Sequence, residues 1–160
     1  YGTADLVREL AQGAGSRALI AGQVLDLESE GKTISVSRLR FIHRSKTAAL
    51  LTSSLRLGAM SANATPQKLL NLTRFGESIG LAFQVIDDIL DVTQTTAKLG
   101  KTAGKDIAST KATYPAILGL EKSRKIASDL TRKARTALVP FGKKAEVLHA
   151  LADMLVGRDH

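Results

Sequence analysis

Apolar residues recur at three- and four-residue intervals along most of the chain, the spacing of helices with one buried face. The clearest run opens at Thr65-Pro66, a capping hydroxyl followed by a proline suited to the first helical position. From there Leu69, Leu72, Phe75, Ile79, Phe83, Ile86 and Leu90 keep to one face and predict a single long helix. Gly76 and Gly80 fall inside it at a cost of about 1 kcal/mol each against alanine, so close helix packing is the expected compensation. Upstream, residues 4–14 read as a short helix, with Thr3 as its N-cap and Gly13 and Gly15 near its end. Ser16 is expected to cap the next helix, in which Leu19, Ile20, Val24 and Leu27 recur at helical spacing and Gly31 is the stop. A third helix starts at Ser35 or Ser37 and runs to about Ala62, with Leu39, Ile42, Leu50, Leu51, Leu55 and Met60 as its apolar contacts. Tyr114-Pro115 restarts helix, which continues to about Val139 with an interruption near Gly119. Pro140 and Gly142 end it, and a last helix takes in Ala145 to Val156. No stretch alternates with the period of a strand, and no internal repeat shows, so the predicted class is all-α.

The polar positions break this regularity at one place. Asp87, Asp88 and Asp91 stand at i, i+1 and i+4, and in a helix they share with Gln84 an arc of roughly 100°. Like charges on one helical face repel, and helix propensity gives no reason to gather them. Hard divalent cations relieve that repulsion, and Mg²⁺ binds through one or two carboxylates together with substrate phosphate oxygens. The acids also lie within the apolar run Leu81, Ala82, Phe83, Val85, Ile86, Ile89, Leu90 and Val92, where a merely solvated face is not expected. Residues 94–112 then lose the helical period and read as a mobile loop, in which Lys98, Lys101, Lys105 and Lys111 alternate with Gly100 and Gly104. Such lysines supply point charges for phosphate. Two upstream segments carry further candidates: Gln23, Asp26 and Glu30 on the polar face of the second helix, and His43, Lys46 and Thr47 within one turn of the third. Taken singly, each of these also fits an ordinary solvated helix face.

Composition narrows the partners. The chain has 160 residues, a length suited to one domain or to part of a larger one. Its 44% hydrophobic content is ample for a core, but only 4% is aromatic, so packing rests on Leu, Ile, Val and Ala. A net charge of +8 suits phosphorylated substrates, anionic membranes or nucleic acid. The basic residues are not interleaved with aromatics, and no helix-turn-helix or zinc pattern occurs, so nucleic acid is not an expected partner. Absence of cysteine removes disulfides and thiolate metal sites. No apolar run reaches transmembrane length and no signal peptide opens the chain, so a cytoplasmic location is expected. Tyr1, rather than a methionine, in first place hints at missing upstream chain.

Read in order, GQVLDLESEG, IHRSKTAAL, FQVIDDILD, then GK, GKD and KATYP resemble the trans-isoprenyl diphosphate synthases, the geranylgeranyl, farnesyl and geranyl diphosphate synthases among them. The likeness runs from about residue 4 to Arg158, and the aspartates match that family's second aspartate-rich region. The resemblance implies a bundle of long helices around a deep cavity, usually in a homodimer, with two aspartate-rich helices holding three Mg²⁺ ions on an allylic diphosphate. It implies that Asp87 ligates one Mg²⁺, with Asp88 and Asp91 completing the site directly or through water. Lys46 and Lys101 are then expected to hold the allylic diphosphate, Lys111 to belong to a closing loop, and Thr47 and Gln84 to line the place where the allylic cation forms. Asp106 and Tyr114 match the pattern as loop supports, and Gln23 and Asp26 as parts of the metal or cavity shell.

The departure from the pattern is large. The family's first aspartate-rich motif, the arginines after it and the N-terminal residues for isopentenyl diphosphate are all absent. The chain is therefore expected to be roughly the C-terminal half of such a synthase. The implied activity is Mg²⁺-dependent condensation of isopentenyl diphosphate with an allylic diphosphate. The alternative is a non-catalytic subunit or helical interaction domain of the same fold.

Overall fold

A computed structural model describes residues 1–93 and 112–157. Among these residues every regular element is a helix, in agreement with the period of the apolar positions. In chain order they are α1 (Thr3–Ala14), α2 (Leu19–Glu28), α3 (Val36–His43), a π-helical turn (Arg44–Ala48), α4 (Ala49–Ser61) and α5 (Pro66–Thr93). After the undescribed interval come α6 (Tyr114–Leu118), α7 (Leu120–Leu138), a 3₁₀ segment (Val139–Ala145) and α8 (Glu146–Val156).

The axis of the assembly is α5, whose 28 residues span about 42 Å at the usual helical rise. Thr65 Oγ1 accepts from the Lys68 N–H, and Pro66 follows in first position, as the sequence predicts. Three apolar clusters lie along this helix. Leu69 meets Ala59 and Met60 of α4; Phe75 and Ile79 meet Ala134 and Leu138 of α7, with Ala145 and with Ala152 of α8. Leu81, Ala82, Val85 and Ile86 meet Leu39, Tyr114, Ala127 and Leu130. Burial of Leu81, Ala82 and Val85 widens the predicted single face, because α5 is covered from more than one side. The low aromatic content has its consequence here: alanines such as Ala48, Ala82, Ala134 and Ala152 are fully enclosed, and helices approach closely. Gly76 confirms the expected compensation, since a Cβ there would lie 2.9 Å from the Thr52 Cα of α4.

Several helix ends differ from expectation. The cap of α1 is Gly2 rather than Thr3, because Asp5 accepts from the Gly2 N–H at 3.0 Å and takes over the capping role. That bond, then the Arg8 guanidinium, holds the Asp5 carboxyl below its ordinary range. Ser16 does not cap α2; a turn carries the chain to Ala18, and no side chain caps the helix. Ser35, one of the two candidates, does cap α3, accepting from the Arg38 N–H. Gly31 and Gly119 take the left-handed φ values of 70° and 83° that stop α2 and separate α6 from α7.

The apolar spacing of α2 was the least faithful guide to burial. Ile20, Val24 and Leu27 are about half exposed, as are Val7 and Leu10 of α1 and Phe41 of α3. Their period marks a face built to be covered, and the described residues do not cover it.

Candidate active site

The third predicted helix is one helix only in outline. Between α3 and α4 the five residues Arg44–Ala48 form a π turn, which widens the helix by one residue within the IHRSKTAAL segment. Such turns recur at functional sites because they redirect side chains without ending the helix. Two helices press on this turn. A Cβ at Gly22 of α2 would overlap the backbone nitrogen of Lys46 and lie 2.7 Å from its Cα. A Cβ at Gly80 of α5 would lie 2.6 Å from the Cα of Ala48. Arg44 of the turn donates to Glu77 of α5 at 3.0 Å.

One helical turn beyond Gly22, Asp26 accepts from the Lys46 ammonium at 2.6 Å. Both groups are largely shielded, with side-chain exposures of 33% for Lys46 and 16% for Asp26. The sequence reading placed both near the site, but not in a pair. Because both groups are partly desolvated, truncating either leaves a costly charge behind. Thr47 stands beside Lys46, half-buried. Gln23 is exposed on α2, and Glu30, expected on the same helix, is exposed in the turn that follows it; neither takes part in this pair.

On α5 the structure separates the three aspartates that the sequence grouped. Asp87 is exposed, Asp91 and Gln84 are half-buried, and Asp88 is buried at 5% exposure. Asp88 Oδ2 accepts from the backbone N–H of Tyr114, at the start of α6, at 2.9 Å. The same oxygen lies 3.9 Å from Nε2 of the buried His43, whose ring is 5.6 Å from that of Tyr114. Burial, and secondarily the Asp88 charge, push the Tyr114 phenol above its ordinary value against the pull of Arg40. Reading along the sequence does not join these three residues, because they come from separated segments.

The Asp88 contact predicts a stability phenotype. Asp88→Ala leaves the Tyr114 N–H without its acceptor in the interior, a loss of about 1–3 kcal/mol. Urea unfolding followed by far-UV circular dichroism should show a lower midpoint with an unchanged slope, and an unaltered midpoint would contradict it.

Lys101 and Lys111, with Lys98, Lys105 and Asp106, lie outside the described residues. Among the described residues no group of three or more His, Cys, Asp or Glu side chains is placed to hold a metal. The donors still suit Mg²⁺: Asp87 and Asp91 offer hard oxygens one turn apart on solvent-accessible positions, and Mg²⁺ completes its shell with water and substrate oxygens.

These positions can be set against known proteins. Residues 3–152 match the family model described as polyprenyl synthetase. The chain belongs to the polyprenyl synthetase family. It is 49% identical over 156 residues to a chloroplastic geranylgeranyl pyrophosphate synthase of Capsicum annuum, covering 96% of this chain and 42% of that protein. It is 46% identical over 159 residues to the farnesyl diphosphate synthase of Escherichia coli, covering 97% and 53%. A solved geranyltransferase of Helicobacter pylori, complexed with magnesium and isoprenyl diphosphate, superposes with a TM-score of 0.77 at 31% identity, covering 96% of this chain and 50% of that one. The chain thus spans about half the length of the curated relatives it matches. Solved family members bear out the all-α helical expectation.

Proposed function

We propose that this chain supplies the diphosphate-ionising side of a Mg²⁺-dependent prenyltransferase, which condenses isopentenyl diphosphate with an allylic diphosphate. The product would be a longer diphosphate of geranylgeranyl or farnesyl type, the two classes named among its relatives. The observation that carries the reading is that two packed elements carry the two kinds of charge the chemistry needs: Asp87 and Asp91 on α5, and Lys46 on the π turn that α5 packs against.

Asp87 and Asp91 would hold the metal. Asp88, grouped with them in the sequence, has its Oδ2 turned inward to Tyr114. The metal would supply positive charge to the departing diphosphate, lowering the barrier to breaking the allylic C–O bond. Lys46 adds a second positive charge, held on its stem by Asp26 so that it need not reorganise as the leaving group gains charge. Lys101 and Lys111 belong to the same set of phosphate-binding cations. The C–O electron pair leaves with the diphosphate, and the double bond of isopentenyl diphosphate attacks the cation. Thr47 and Gln84 offer oxygen dipoles along the cation's path. The final proton goes to the released diphosphate, because His43 is enclosed at 3% exposure and cannot reach it. A homodimer belongs to the same reading, on the family likeness. A cytoplasmic location is proposed with it; no helix among the described residues is long and apolar enough to cross a membrane. The name of the Capsicum annuum relative places that protein in the chloroplast.

Lys46→Ala tests the assignment. Losing one charged hydrogen bond to the diphosphate is expected to weaken allylic diphosphate binding about 10- to 100-fold. Calorimetric titration of the allylic diphosphate with and without Mg²⁺ reads this directly. Equal affinities for the two proteins would return Lys46 to a purely structural ion pair with Asp26.

A further inference from the structure

We propose that Gly22 and Gly80 are positioning residues for the prenyl-transfer site, acting by clamping the π turn that aims Lys46. The proposal rests on Lys46 being a diphosphate-contacting lysine, and it adds two residues that touch no substrate.

The argument begins with the two contacts. Gly22 lies against the backbone of Ser45 and Lys46, and Gly80 lies against the backbone and Cβ of Ala48. The turn is therefore gripped at its middle by α2 and at its end by α5. A Cβ on either glycine would meet main-chain atoms, which cannot rotate aside as a flexible side-chain tip can. The turn would have to shift or tighten instead. A π turn holds one residue more than the α-helical path, so a shift of its backbone changes the direction of Lys46.

The second step is alignment along each helix. Asp26 follows Gly22 by four residues, so both occupy the face of α2 turned to the π turn, where Asp26 meets the Lys46 ammonium. Gln84 follows Gly80 by four residues, and Asp87 comes one turn later on α5. On both helices the glycine that admits the π turn stands just before the polar residues assigned to the site. Close approach at the glycines thus fixes the separation between the lysine-bearing turn and the carboxylate-bearing helix. Arg44–Glu77 adds a third tie on the outer side.

Gly76 provides an internal control. A Cβ there would lie 2.8 Å from Thr52 Oγ1 and 2.9 Å from Thr52 Cα, a crowding like that at Gly80 on the same helix. It presses on α4, however, and not on the π turn. A glycine that serves only helix packing should behave the same at both positions.

The experiment compares Gly22→Ala, Gly80→Ala, Gly76→Ala and Ala48→Gly. Ala48→Gly removes the Cβ on the other side of the Gly80 contact and loosens the turn without a clash. Each is titrated with inorganic diphosphate in the presence of Mg²⁺ by calorimetry, and its unfolding midpoint is measured in urea. We expect Gly22→Ala and Gly80→Ala to lose tenfold or more in affinity, Ala48→Gly to lose about threefold, and Gly76→Ala to stay within twofold of the parent despite a lowered midpoint. If both clashing variants fail to fold, Ala48→Gly decides: weaker binding supports the clamp and unchanged binding overturns it. Equal losses of affinity in Gly80→Ala and Gly76→Ala, or parent-like binding in all four, also overturn it. If the parent itself binds no Mg²⁺–diphosphate, the proposed function fails and not the clamp alone.

Discussion

In the full-length protein, Asp87→Ala is expected to lower turnover by about 10²- to 10³-fold, the scale seen when one preorganised electrostatic stabiliser is lost from a site. Asp87 is the one exposed carboxylate of its group, so its removal opens no cavity in the core. It also relieves repulsion with its acidic neighbours in the metal-free protein, so the unfolding midpoint should hold or rise slightly. This opposes the outcome expected at Asp88, where the buried carboxylate holds Tyr114 and stability should fall. Turnover measured across a Mg²⁺ titration, beside circular dichroism of both variants, separates the two roles. Near-normal turnover of Asp87→Ala at limiting Mg²⁺ would remove Asp87 from the metal site.

That contrast shows what a linear sequence can convey. The start of α5, its core-facing residues Phe75 and Ile79, the Ser35 cap and the break at Gly119 were all legible. Each depends on residues within a few positions of one another, where capping and helical period act. The three aspartates were legible as a group for the same reason. Their division into outward and inward members was not, because Asp88 finds its partner 26 residues away in Tyr114. Lys46 and Asp26 likewise pair across 20 residues. The π turn leaves no compositional mark, since one extra residue in a helix preserves its general amphipathic look. Its signature lay in the glycines of other helices, Gly22 and Gly80, and only packing shows what they touch. The apolar face of α2 misled in a further way: the period was right, but period says that a face is covered and not by what.

That uncovered face bears on the largest expected effect. The 160 residues assayed by themselves should give no chain elongation, even at high Mg²⁺ and substrate concentrations. The first reason is electrostatic. An allylic diphosphate carries about three negative charges, and its departure builds more on the leaving oxygen while a carbocation forms nearby. The charges proposed to hold that group, on Asp87, Asp91 and Lys46, all come from α5 and the π turn packed against it. The second reason is water. The relatives are about twice as long, and a cavity closed on one side would admit solvent to any cation. The third is the apolar surface itself: Val7, Leu10, Ile20, Val24, Leu27 and Phe41 lie exposed, and uncovered faces of this kind favour association over catalysis. Supplying the N-terminal half of a close relative as a separate polypeptide should therefore restore prenyl transfer wherever the two pieces assemble. Assembly should also bury Ile20, Val24 and Leu27, or the partner faces that contact them, with a measurable loss of hydrophobic-dye binding. The assay uses labelled isopentenyl diphosphate and an allylic primer, with each piece alone and with both together. Robust chain growth by the 160 residues alone would show that one aspartate-bearing helix and the lysines of this chain suffice to ionise the substrate.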